Sequence, residues 1–257
     1  MKTKTFPVGD LELVLLNTTP EDGVFEPNTI TKLFSEYVIN DYIKQNPGCS
    51  FLDLGCGTGA IAIAAKKAGA GRVVGVDIMQ MSVNFAQQNA KLNNADIEFK
   101  VGNLFEPLNG EQFDCISYDV SAMAKEAAKI SPWYVGIPSG GSDGTGPSLE
   151  AIEKVDPHMT KKGMFYLPYI TLANYRKIVE KAQEKFGSRL KEVQEKPFPK
   201  DIPFCEQFYE ITAEGRMTAH RVLKELKGKG LVDFFEKGSR LVWRAHMQKV
   251  YSPAYSL

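Results

Sequence analysis

No stretch of this chain is apolar for anything near the roughly 20 residues that a membrane-spanning helix needs, so no membrane span is expected. An apolar signal segment is missing too, because Pro7, Gly9, Asp10 and Glu12 interrupt the residues after Met1, and the expected location is cytoplasmic. Cysteine is sparse. Cys49, Cys56, Cys115 and Cys205 show no C-x-x-C spacing, which favours reduced structural thiols over disulfides or a metal site. Charge of either sign is not in excess, with 31 basic and 31 acidic residues, so there is no global electrostatic case for nucleic acid or a membrane surface. Internal repeats and low-complexity tracts are absent. A length of 257 residues fits one large domain or a domain with an appendage, and oligomeric state leaves no mark on the sequence.

What is present is concentrated in residues 51–60, Phe-Leu-Asp-Leu-Gly-Cys-Gly-Thr-Gly-Ala. A short buried strand runs into a turn with Gly55, Gly57 and Gly59, and an Ala- and Ile-rich helix follows to about residue 68. Glycine lets the backbone turn sharply and a ligand approach it closely, and the helix points its free N–H groups at whatever sits there. A second strand, 72–76, ends in Asp77, where a carboxylate accepts hydrogen bonds from both hydroxyls of a ribose. Strand, turn, helix, strand and acid form a nucleoside-binding βαβ unit. The glycines also fit a dinucleotide fingerprint. Asp53, two residues before the first glycine, would repel a diphosphate and suits a cationic ligand with an amino-acid tail, which favours S-adenosylmethionine over NAD.

D-L-G-C-G-T-G followed by G-V-D resembles the first motifs of the class I methyltransferases. Further motifs narrow the resemblance to the release-factor glutamine methyltransferases. V-F-E-P-N-T from Val24 is similar to their V-x-x-P-x-x-x-T segment, which closes over cofactor and target and implies substrate contacts by Phe25 and Pro27. G-N-L-F-E-P-L from Gly102 looks like their G-D-L-F-E-P-L, and Gly140-Gly-Ser-Asp-Gly144 like their G-G-x-D-G. The resemblance implies an α/β, Rossmann-like fold: a mostly parallel, twisted seven-stranded sheet, order 3-2-1-4-5-7-6, with helices on both faces. It also implies S-adenosylmethionine as methyl donor and S-adenosylhomocysteine as product. Implied cofactor contacts are Asp53, Gly55, Cys56, Gly57, Thr58 and Gly59 on the methionine part and Asp77 on the ribose. Ile78 would meet the adenine face, Asn103 the adenine amino group, with Leu104 and Tyr118 beside them.

The sequence departs from that family at one place. After the strand 113–118, where the family carries N-P-P-Y, stands Asp119-Val-Ser-Ala122. An ionised Asp only accepts hydrogen bonds, so it suits an N–H- or O–H-bearing nucleophile better than an amide oxygen. Asp119 would orient or deprotonate the nucleophile and Ser121 position it; alternatively Asp119 caps a helix starting near Ala122. The expected reaction is methyl transfer to N or O of a small molecule or of a peptide group other than glutamine. The alternative is a protein glutamine methyltransferase with a divergent motif, and from other classes a nicotinamide-dependent reductase or a non-catalytic nucleoside-binding regulator.

The remainder is read from patterning. Residues 1–48 give a strand over 8–17 outside the main sheet and a helix from about residue 30, a lid segment before the core at 49–196. The Gly- and Pro-rich loop 131–147 carries Trp133 and Tyr134, which either wall a substrate pocket or anchor the loop, and Tyr169 closes the fifth strand beside that pocket. Residues 197–240 read as an insertion able to cover the substrate site, with a short strand at 208–211 and a helix at 218–226. The last core strand and tail occupy 241–257, with one strand over 241–250.

Overall fold

A computed structural model describes residues 2–120, 122–131, 134–193, 198, 202–203, 213–238 and 240–254. The chain begins with a hairpin, β1 (Thr3–Val8) and β2 (Leu11–Leu16), turned at Gly9 and Asp10. The single early strand expected at 8–17 is therefore a two-stranded sheet of its own. Helix α1 (Thr29–Val38) starts at Asn28, whose side chain accepts from the N–H of Ile30 and Thr31 and so satisfies two orphan donors. A π-helical turn, Ile39–Ile43, continues it and carries Asp41, which binds Lys249 and accepts the Tyr166 hydroxyl at 2.6 Å.

The main sheet follows. Its strands are β3 (Phe51–Leu54), β4 (Val73–Asp77), β5 (Glu98–Val101), β6 (Phe113–Tyr118), β7 (Met159–Ile170), β8 (Leu190–Glu192) and β12 (Ala245–Tyr251). They lie in the order β5-β4-β3-β6-β7-β12-β8, the expected topology, with β12 antiparallel to both neighbours. Strands β3 and β6 alternate their side chains between faces. Phe51 and Cys115 join one core, with α1, α2 (Ala60–Lys67) and the hairpin. Leu52, Leu54, Ile116 and Tyr118 join the other, with α5 (Gly146–Lys154) and α6 (Tyr175–Phe186). Because both faces are covered, the central strands read as continuous apolar runs.

Helix α3 (Gln80–Leu92) links β4 to β5 and also holds the hairpin. Asn93 binds both the N–H and the C=O of Val14 through its side chain, at 3.0 and 2.7 Å. Asn89 accepts from the Leu16 N–H and donates to the Thr58 carbonyl in the glycine turn. Two asparagines thus take the place of a neighbouring strand at the β2 edge.

Beyond β8, β9 (Ile202–Pro203), β10 (Phe235–Lys237) and β11 (Arg240–Trp243) form a separate antiparallel sheet, order β10-β11-β9. Helix α7 (Ala213–Gly228) packs Ala219, Leu223 and Leu226 against Ala127 and Ala128 of α4 (Lys125–Lys129). The single strand expected over 241–250 is two strands in different sheets, broken at Arg244. There the Arg244 N–H donates to Thr171 Oγ1, and the Arg244 carbonyl accepts from the Thr171 N–H. Apolar alternation continues through the break, so pattern alone runs the two together. The short strand expected at 208–211 lies outside the described residues.

Candidate active site

The carboxyl ends of β3, β4 and β6 open into a cleft of about 310 Å³, the position where ligands lie in open α/β sheets. The glycine turn forms its floor. Gly55, Gly57 and Gly59 all have positive φ, between 50° and 82°. At Gly55 a Cβ would stand 2.6 Å from the Asp119 carbonyl oxygen, so only glycine lets the turn pass beneath β6.

Asp77 ties this floor together. One carboxylate oxygen accepts from the Gly57 N–H and the other from the Met79 N–H, both at 2.9 Å. Burial raises its pKa, and these bonds with that from Ser82 pull it back down. With these partners the carboxylate still has acceptor capacity for a hydroxyl in the cleft it lines. Beside it Ile78 is 57% exposed, an apolar side chain held in the open where a planar ring can cover it. Across the cleft Asn103 donates through Nδ2 to Glu150 at 3.0 Å. Glu150 can only accept, so the amide must turn its NH₂ that way and keep its carbonyl oxygen to accept a further bond. Leu104 follows with φ 48° and also lines the cleft. Cys56 and Thr58 line it as well, and burial holds the Cys56 thiol well above its usual pKa.

Four expected contacts are placed elsewhere. Asp53 lies beneath the floor, fully buried. Its oxygens accept from the Ala62 N–H at 3.2 Å and the Ser117 hydroxyl at 2.8 Å. Gly59, the N-cap of α2, has no side chain to cap with, so Asp53 supplies the acceptor from the strand. Desolvation pushes its pKa up to about 7. Tyr118 faces the other core, with its hydroxyl on Ser148 at 3.0 Å, because alternation places it with Ile116. Tyr169 is on that same core face, stacked on His246 and Tyr175, with its hydroxyl donating to Glu192. Neither tyrosine lines the cleft. Gly59 is likewise packed on Ala86 rather than exposed to the cleft.

Asp119 does line it, half-buried, at the end of β6. It does not cap a helix: α4 starts at Lys125 behind Ala124, without a side-chain cap. Desolvation pushes its pKa up to about 6, opposed by the nearby Thr31 hydroxyl. Thr31, in the first turn of α1, was not singled out from sequence, although it ends the V-x-x-P-x-x-x-T pattern that begins at Val24. Phe25 and Pro27 line the cleft, and Phe25 meets Tyr134 edge-on with ring centroids 6.2 Å apart. A Cβ at Gly23 would stand 3.4 Å from the Gly136 carbonyl oxygen, so the loops of residues 23–27 and 134–139 run close together over the cleft they line. No described residue of the insertion lines it. Ser121 and Trp133 lie outside the described residues.

Glycine turn, ribose-ready acid, exposed apolar side chain and adenine acceptor, set on this sheet, fit S-adenosylmethionine, and they define a class I S-adenosylmethionine-dependent methyltransferase. Comparison with known proteins agrees. The model of the ribosomal protein L11 methyltransferase family matches residues 31–123. A candidate protein N5-glutamine methyltransferase of Methanocaldococcus jannaschii is 31% identical over 173 residues, 67% of this chain and 84% of its own length. The chain belongs to the same methyltransferase family as that archaeal protein. A ribosomal protein L11 methyltransferase of Thermosipho africanus is 36% identical over 105 residues, 41% of this chain and 39% of the relative. Among solved structures, a T. thermophilus 16S rRNA N2 G1207 methyltransferase in complex with AdoMet and guanosine superposes with a TM-score of 0.54 at 15% identity. It covers 98% of this chain and 50% of its own, and shows a shared fold. The nicotinamide-dependent reductase is thereby set aside.

Proposed function

We propose that the protein transfers a methyl group to a nitrogen or oxygen nucleophile carried by a protein or peptide, with Asp119 taking the nucleophile's proton. The observation that carries this is the place of Asp119: at the end of β6, on the cleft wall that Thr31 also lines. Both reported sequence relatives are named as protein methyltransferases, which favours a peptide-borne acceptor over a free metabolite.

Bound S-adenosylmethionine supplies an electrophilic methyl carbon on a sulfonium. Asp77, Ile78 and Asn103 hold the nucleoside, and the roof loops exclude water. Asp119, on the cleft wall, would orient the nucleophile toward that carbon and take the proton it gives up. Most of the acceleration comes from holding nucleophile and methyl carbon in line; proton removal adds a factor of about 10²–10⁴.

A second reading, transfer to a glutamine amide, is favoured by the archaeal relative. Methyl-labelled S-adenosylmethionine incubated with the protein and a host lysate tests the proposal, with Asp77→Ala as control. Label in protein at a non-glutamine residue supports the first reading. Label on glutamine supports the second, and label confined to small molecules overturns the peptide assignment.

A further inference from the structure

At the adenine end of the cleft stands an asparagine, Asn103, where the motif it resembles carries an aspartate. The exchange has a physical consequence. A carboxylate offers two equivalent acceptor oxygens, so either can face a base. An amide offers one oxygen and one NH₂, so its orientation decides what it can read. The backbone around Asn103 is already fixed. Its carbonyl accepts from the Glu106 N–H at 3.0 Å, and the Gly102 N–H donates to the Asp77 carbonyl at 3.0 Å. The flip of the side-chain amide is what remains to be set. Helix α5 reaches the cleft at Pro147, and Glu150 stands one turn further along it. One Glu150 carboxylate oxygen, Oε1, accepts from Asn103 Nδ2 at 3.0 Å and from Lys154 Nζ at 2.7 Å. The Lys154 ammonium beside it, helped by the Asn103 amide, holds the Glu150 carboxyl below the usual carboxylate range. Glu150 therefore stays ionised and can only accept.

We propose that Glu150 is a positioning residue which, by fixing the flip of Asn103, makes the cleft select a 6-amino purine nucleoside and reject its 6-oxo counterpart. The proposal rests on the placement of the cofactor's base at Asn103 and is independent of the methyl acceptor. Adenine presents an N6–H donor, which the Asn103 carbonyl oxygen can accept while its NH₂ stays on Glu150. Hypoxanthine presents an acceptor at the same place. The amide would have to turn its NH₂ to that base, and the turn would set Asn103 Oδ1 against Glu150 Oε1, two acceptors with no proton between them. Either orientation then leaves a polar group facing another of its own kind. An amino and an oxo group differ little in size, so shape alone discriminates poorly, whereas a site built around a hydrogen bond rejects the analogue that lacks it. Lys154 acts one step further back, because it keeps Glu150 charged and aligned.

The test compares the binding of S-adenosylhomocysteine with that of its deaminated analogue, S-inosylhomocysteine, by calorimetry on the full chain. The wild-type protein is expected to prefer the adenosyl compound by about tenfold or more. In Glu150→Gln the preference should shrink to within about threefold, because a glutamine there can accept from Asn103 or donate to it and so permits both flips. Combining Asn103→Asp with Glu150→Gln should restore the preference. The new carboxylate accepts from N6 whichever oxygen faces the base, and the amide at position 150 donates to the other. Melting curves of both variants accompany the titrations. A ratio in Glu150→Gln equal to that of the wild type overturns the proposal. So does a loss of both affinities in proportion, which is what a merely structural role would give, or a double variant that does not regain the preference. Equal affinities in the wild-type protein overturn it as well, by showing that Asn103 does not read the base, and they leave the role of Asp119 untouched.

Discussion

Asp77 serves two partners at once, the glycine turn through Gly57 and the nucleoside through its remaining lone pairs. Hydrogen bonds to a charged group contribute roughly 1.5–3 kcal/mol each. Asp77→Ala should therefore weaken S-adenosylhomocysteine binding at least 100-fold by calorimetry, and unchanged affinity would refute the assignment. Asp53 yields a pH prediction. Its folded pKa of about 7 lies above the usual carboxylate value, so the folded state binds the extra proton. Stability of the cofactor-free protein must then fall as pH rises from about 4 to 7, by up to ~1.4 kcal/mol per pH unit. Carboxylates with lowered pKa, such as Asp114 and Asp143, act in the opposite sense, but below about pH 4. Asp53→Asn keeps an acceptor for Ala62 and a partner for Ser117 without the charge. Denaturant melts at pH 5 and pH 7 should show a flatter dependence in that variant.

Elements are held to one another here by side chains that stand in for backbone. Asn93 and Asn89 pair with β2 as a strand would, and so fix the hairpin on α3. Asn93→Ala leaves the part-buried Val14 N–H and C=O without that partner, at about 0.5–1.5 kcal/mol for each of the two bonds lost. Hydrogen exchange over residues 3–16 should accelerate about 5- to 100-fold while the main sheet keeps its protection. Helix α7 is fixed differently, by apolar packing. Leu223 is fully buried between α7 and the core. Leu223→Ala should cost about 2–5 kcal/mol of stability, read as a lowered melting temperature. Cofactor affinity should be unchanged, because no described residue of α7 lines the cleft.

At the scale of the whole molecule, sheet order decides where chemistry happens. Parallel strands β3, β4 and β6 deliver three acids, Asp53, Asp77 and Asp119, to one end of the sheet, and the N-terminal α1 returns to that end with Thr31. Thr31→Val should reduce turnover with little effect on S-adenosylhomocysteine affinity, since Thr31 acts on Asp119 rather than on the nucleoside contacts. Steady-state kinetics alongside calorimetry separate the two; an equal loss in both would place Thr31 in the cofactor site instead.

The local features were legible in the sequence because they depend on short-range rules. A glycine turn between strand and helix, an acid at the next strand's end and Asn103 after the third strand each occupy a few consecutive residues, and the sheet topology followed from the family resemblance those motifs carry. The tertiary structure decided what depends on distant residues meeting. Asp53 turned out to hold α2 and β6 rather than face the cleft, because its partners Ala62 and Ser117 come from two other elements. Tyr118 and Tyr169 point to the far core because strand alternation, not proximity to a motif, sets their face. The roof formed where Gly23 meets Gly136, and the Thr31–Asp119 pair joins residues nearly ninety positions apart. No period or spacing in a single sequence records such meetings, since they arise only when the chain closes on itself.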